Sequence, residues 1–187
     1  QKLFSQKIGL IAAFFYTISV FPIQAAHFYV VDTPLTFFIL LTLYLLILFY
    51  EKPSKKKALS IGFLIGASLA TKTSALVIIV TVGATLLSEF ILIFIKNPHR
   101  PHIWFPYIPK LIKTLFTDGL IIAATTFLAF LIFEPYALLD FKEFWRQTLE
   151  QSQMTRDAFT FPYTLQYVGK IPYFYELKNI FLWGQGP

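Results

Sequence analysis

In 187 residues the chain carries 22 Phe and 10 Tyr, is 56% hydrophobic and only 14% charged. A soluble domain carries about a quarter charged residues, so a freely soluble globular protein is excluded as the simplest account. With no cysteine, disulfides, thiolate catalysis and cysteine-based metal sites are excluded as well. The formal charge of +6 raises nucleic acid as a partner, but the basic residues gather in short connections between apolar runs, which is a membrane-topology signal.

The chain begins at Gln1, close to an apolar run, and stops at Gly186-Pro187 just past another. Both ends are therefore expected to be cut, and the absence of a signal peptide is uninformative. Crossing a bilayer core takes roughly 20 helical residues, and a helix satisfies its own backbone in lipid. The first run, Ile8–Phe21, is short and closes at Pro22. The second, Pro34–Tyr50, contains no charge. The third, Ala58–Ile95, is too long for one span and is interrupted by Thr71-Lys72-Thr73. It reads as a helix over Ala58–Ala70 followed by another over Ser74–Ile95. The fourth, Thr117–Phe133, ends at Glu134-Pro135. Ile180–Trp183 reads as the start of another span.

Charge orients these runs. Lys2, Lys7, Lys52, Lys55, Lys56, Lys57, Lys96, Arg100, Lys110 and Lys113 fall on one side if Ala58–Ile95 crosses out and back, ten of sixteen basic residues. Cytoplasmic loops retain such charge. The opposite face, Pro22–Thr33 and the tail 134–179, is richer in acid. In that tail, Phe141, Phe144, Trp145 and Leu149 recur at helical spacing, which predicts an amphipathic interfacial helix over Asp140–Gln153. Phe159–Tyr175, aromatic and aperiodic, reads as an ordered outer-face loop near the lipid headgroups.

Few residues offer chemistry. Asp32 stands immediately before an apolar span, where a carboxylate needs water or a partner. Two roles fit it, a functional acid or a cap on the following helix two residues before Pro34, and they are compatible. Lys72 is the one base within the apolar stretches. It suits a lipid phosphate as a point charge with three donors, and equally a lysine snorkelling to water from a helix end. His99, Arg100 and His102 lie in a proline-rich basic connection and read as a solvated loop. No phosphate-cradling glycine loop, serine–histidine pair or metal-ligand spacing is present, so no cofactor is expected and no metal residue is assigned. A divalent ion remains open.

The segment Phe21-Pro22 with His27-Phe28-Tyr29-Val30-Val31-Asp32-Thr33-Pro34-Leu35-Thr36-Phe37-Phe38 resembles the second outer connection of the protein-mannosyltransferase superfamily, including its ArnT-like bacterial members. Gly62–Lys72 resembles that family's glycine-rich helix ending in Thr-Lys. The tail, with Gln151, Met154, Pro162-Tyr163-Thr164, Gln166-Tyr167, Pro172-Tyr173 and Leu182-Trp183-Gly184, resembles the segment after its later spans. It departs from the family near Thr155 or Arg156, usually Gly, and at Lys170, usually Thr.

The resemblance implies an all-α, multi-pass transmembrane bundle of GT-C type, with the whole chain part of one transmembrane domain. It implies an inverting glycosyltransferase that takes a mannose-like or related sugar from a polyprenyl-phosphate donor. Asp32 then matches an auxiliary acid, with the main base upstream of Gln1. Lys72, His27, Gln166 and Tyr167 match donor-binding positions. The partners implied are the lipid-linked sugar, a protein, lipid or glycan acceptor and the bilayer, with the site on the non-cytoplasmic face of the cell membrane. The rival readings are a multi-pass transporter, expected to show paired broken helices in repeated halves, and a non-catalytic membrane subunit.

Overall fold

The computed structural model describes residues 3–154, 158–159, 161–171 and 173–184. Thr155, Arg156, Asp157 and Pro172 lie outside the described residues, as does the side chain of Met154. Among the described residues every regular element is helical. In chain order these are α1 (Gln6–Ile18), α2 (Val20–His27), α3 (Asp32–Glu51), α4 (Lys55–Thr71), α5 (Ile78–Lys96), α6 (Pro101–Trp104), α7 (Ile108–Thr114), α8 (Leu120–Phe133), α9 (Tyr136–Leu139), α10 (Phe141–Met154) and α11 (Phe174–Asn179). Short 3-10 turns at Thr73–Val77, Phe105–Tyr107 and Pro162–Tyr167, and π-helical turns at Leu115–Gly119 and Ile180–Gly184, fill the intervals.

Three described helical runs are long and apolar enough to cross a membrane: Asp32–Glu51, Thr73–Lys96 and Pro101–Phe133. The pair α1 and α2, bent by 57°, makes a fourth if it counts as one broken span. Large apolar side chains such as Phe14, Phe15, Val80, Leu128 and Ile132 stand exposed along these helices. Water would not tolerate so large an exposed apolar surface, whereas lipid does. The chain is an all-α membrane protein.

It divides into two compact units, Pro34–Pro135 and Gln1–Thr33 with Tyr136–Pro187. In the first, α4 is the central helix, with Ala58, Ile61, Gly62, Leu64, Ile65, Gly66, Ala67 and Ser68 all buried. It packs along α8, and glycine sets the approach. A β-carbon on Gly62 would fall 2.6 Å from the Ile122 carbonyl oxygen, and one on Gly66 2.5 Å from that of Thr126. Lipid removes the hydrophobic drive for helix association, so close backbone approach through small residues four apart is what remains. Buried hydroxyls bond back to their own helix: Ser68 Oγ donates to the Leu64 carbonyl at 2.8 Å, and Thr42 Oγ1 to that of Phe38 at 2.7 Å. At the turn between α3 and α4, Ser54 Oγ accepts the Lys57 N–H. Lys57 Nζ donates to the Leu48 and Lys52 carbonyls at 2.7 and 2.6 Å, satisfying acceptors that a helix end leaves open.

Two stretches fold differently from expectation. Only Asn97–Arg100 of the Lys96–Phe116 connection is non-helical, and His102 lies in α6 rather than in a loop. Three of the four prolines there, Pro101, Pro106 and Pro109, sit in the first two positions of a short helix, where the missing N–H costs nothing, while Pro98 lies in the non-helical turn. Likewise Pro22 lies in the first turn of α2 instead of closing the helical region, and the break falls at Ser19, whose backbone is extended. A proline ring excludes the carbonyl four residues back, here that of Ile18.

In the second unit, α1 meets α2, α9 meets α10, and the turn Ile180–Gly184 returns against α2. On α10, Phe141 and Trp145 stack at 6.2 Å, and with Leu149 they form an exposed apolar stripe at four-residue spacing. Arg146 bridges Glu143 at 2.6 Å and Glu150 at 3.1 Å on the same helix. The Arg146 guanidinium, with the Gln147 amide, holds the Glu143 carboxyl down at about 2.

Candidate active site

The segment from His27 to Asp32 is a built turn. Helix α2 ends with the Val30 N–H on the Ala25 carbonyl at 3.0 Å and the Tyr29 N–H on that of Ala26 at 3.2 Å. These two bonds define a Schellman closure. Such a closure requires a left-handed residue, which is normally glycine, yet here it is Tyr29, with φ 51°. The Thr33 N–H then donates to the Val30 carbonyl at 3.0 Å, and α3 opens with Asp32, half-buried in its first turn. His27 is the last residue of α2, exposed, with its ring edge-on to Phe28 at 5.2 Å.

Lys72 terminates α4. Its backbone is extended, its N–H donates to the Ser68 carbonyl at 2.9 Å, and its side chain is exposed. The carbonyl of Lys72 accepts the Ala75 N–H at 3.0 Å, which starts the 3-10 turn leading into α5. The lysine is thus carried on a break between two helices.

Gln166 and Tyr167 close the 3-10 turn Pro162–Tyr167, and both are exposed. Buried Thr164 pins that turn, its Oγ1 lying 2.6 Å from the Ala158 carbonyl and 2.7 Å from that of Phe161. The Tyr167 ring meets Tyr175 edge-on at 5.7 Å, and Lys170 Nζ lies 5.7 Å over the Tyr175 ring. Lys170 therefore packs on an aromatic face. His27, Asp32, Gln166 and Tyr167 belong to one compact unit and Lys72 to the other. Among the described residues no group of three or more His, Asp or Glu is placed to hold a metal ion.

Tyr29 is the residue that sequence reasoning passes over. It is 86% exposed, so packing does not explain why a tyrosine occupies a left-handed position. Strain of this kind collects at functional sites. Glu89, within the Ser74–Ile95 run, and Asp118, at the start of the last apolar run, also escape sequence reasoning. A charge inside an apolar run is the signal that finds them.

The family model of dolichyl-phosphate-mannose-protein mannosyltransferases matches residues 1–132. That range includes the Asp32 turn and the Gly62–Lys72 helix and stops short of the aromatic tail. No curated protein and no solved structure matches the chain. On the extent of the family match, the chain belongs to the dolichyl-phosphate-mannose-protein mannosyltransferase family, a family of membrane glycosyltransferases.

Proposed function

We propose that the chain is part of an integral-membrane enzyme that transfers a mannose-like sugar from a polyprenyl-phosphate carrier to an acceptor hydroxyl at the non-cytoplasmic face. The family match over residues 1–132 carries this reading. In it, the acceptor oxygen attacks the anomeric carbon as the bond to the phosphate breaks, with inversion. A carboxylate removes the acceptor proton. The leaving phosphate needs cationic partners. Asp32 is the auxiliary acid. Lys72 holds the phosphate, and His27, Gln166 and Tyr167 contribute donor contacts. The acceptor is a protein, lipid or glycan.

Asp32→Asn tests the assignment. Asparagine keeps the size and the capping ability of aspartate, so a helix cap alone leaves transfer unchanged. A carboxylate that acts on the reacting groups loses at least about tenfold in kcat/KM, only about 1.4 kcal/mol of barrier. Full activity in the variant, at equal expression and melting temperature, would reduce Asp32 to a structural residue.

A further inference from the structure

A second polar site lies within the unit Pro34–Pro135, away from Lys72. A cavity of about 390 Å³ opens between the end of α3, the middle of α5 and the α7–α8 junction, within the size range of small-molecule sites. It sits beside Tyr50 and Pro53, at the turn that begins α4. Lys72 caps the other end of that 17-residue helix, which is about 25 Å long at the usual rise. Cavity and Lys72 therefore occupy opposite ends of this unit.

Its walls combine aromatic rings with charge. Glu89 and Lys110 form an ion pair at 2.5 Å across the cavity wall, joining α5 to α7. Asp118 also lines it, half-buried in the π-helical turn Leu115–Gly119. Among the described residues its carboxylate has no hydrogen-bond or ion-pair partner. A π turn inserts one extra residue into a helix and recurs at functional sites. Here it carries Asp118 into the cavity. A carboxylate on a span is costly unless something cationic answers it. Two carboxylates against one ammonium leave the cavity one negative charge in excess, and Tyr50 and Tyr107 present aromatic surface to a cation.

We propose that this cavity binds the headgroup of an amine-bearing phospholipid of the phosphoethanolamine type. The ligand ammonium sits between Asp118 and Glu89. Lys110, more than half exposed beyond its ion pair, faces the phosphate. The charge excess selects a headgroup with a primary ammonium over an anionic one, and Tyr50 and Pro53 set one edge of the cavity at the end of the membrane-crossing helix Asp32–Glu51. This inference does not depend on the sugar-transfer reading, and its test reads lipid retention rather than transfer.

The intact protein is reconstituted in nanodiscs containing phosphatidylethanolamine and phosphatidylglycerol in equal amounts, then released and examined by native mass spectrometry. The expected result is at least fivefold preferential retention of phosphatidylethanolamine, reduced to parity by Asp118→Asn. Thr114→Leu, which narrows the cavity without touching charge, gives the same loss and serves if the Asp118 variant does not fold. Equal retention of the two lipids by the parent would overturn the proposal, as would undiminished preference in a folded Asp118→Asn or Thr114→Leu protein.

Discussion

Tyr29 closes α2 at a position where the left-handed backbone favours glycine and penalises any side chain. Tyr29→Gly therefore raises stability by about 1 kcal/mol, read as a higher melting temperature in detergent. An unchanged or lower value would show that the tyrosine side chain stabilises its turn. Asp32 and Lys72 stand out in the sequence because each is a charge beside apolar residues. Tyr29 does not, because an aromatic residue near a span end is common at membrane interfaces. Only its left-handed backbone angle, together with the hydrogen bonds to the Ala25 and Ala26 carbonyls, shows the strain it bears. Sequence identifies which residues carry charge, but a backbone angle at one position is set by how the two neighbouring helices end and begin.

Among elements, the contact of α4 with α8 depends on two glycines whose substituents would meet backbone rather than flexible side chains. Gly66→Ala forces the helices apart and costs about 1–3 kcal/mol. Gly83 supplies the control: a β-carbon there meets nothing within 4 Å, so Gly83→Ala is neutral or stabilising by up to about 1 kcal/mol. Equal melting temperatures for the two variants would refute close packing at Gly66. The helical class is legible in the sequence because apolar runs of membrane-crossing length leave the backbone no other way to satisfy itself. The Thr71-Lys72-Thr73 interruption marks where α4 ends, since Lys72 is the residue that leaves the helix. The helical path through Pro101–Thr114 is not legible in the same way. Proline reads as a breaker, and only its register within each short helix shows that it begins one. The π turn at Asp118 is hidden for a similar reason, because an inserted residue leaves apolar composition unchanged.

At the scale of the molecule, the Lys/Arg asymmetry proposes an orientation, with the α3–α4 turn in the cytoplasm and the tail outside. A cysteine introduced at Ser152 then reacts with an impermeant thiol reagent in intact cells, and one at Ser54 only after permeabilisation. The reverse pattern would invert the topology and move the Asp32 turn to the cytoplasmic side. Function is legible in the sequence through the order of three short segments, around Asp32, around Lys72 and, most specifically, in the tail from Gln151 to Gly184; the family match over residues 1–132 spans the first two and does not reach the tail. The chemistry of single residues reached no further than a membrane protein with an acid at one span mouth. The proposed reaction draws the sugar from a lipid carrier. The most direct measurement supplies the intact protein, in nanodiscs, with radiolabelled mannose on a polyprenyl phosphate. Label is predicted to pass to acceptor with inverted anomeric configuration. Transfer from a nucleotide sugar in the absence of any lipid carrier, with none from the polyprenyl-linked donor, would contradict the account.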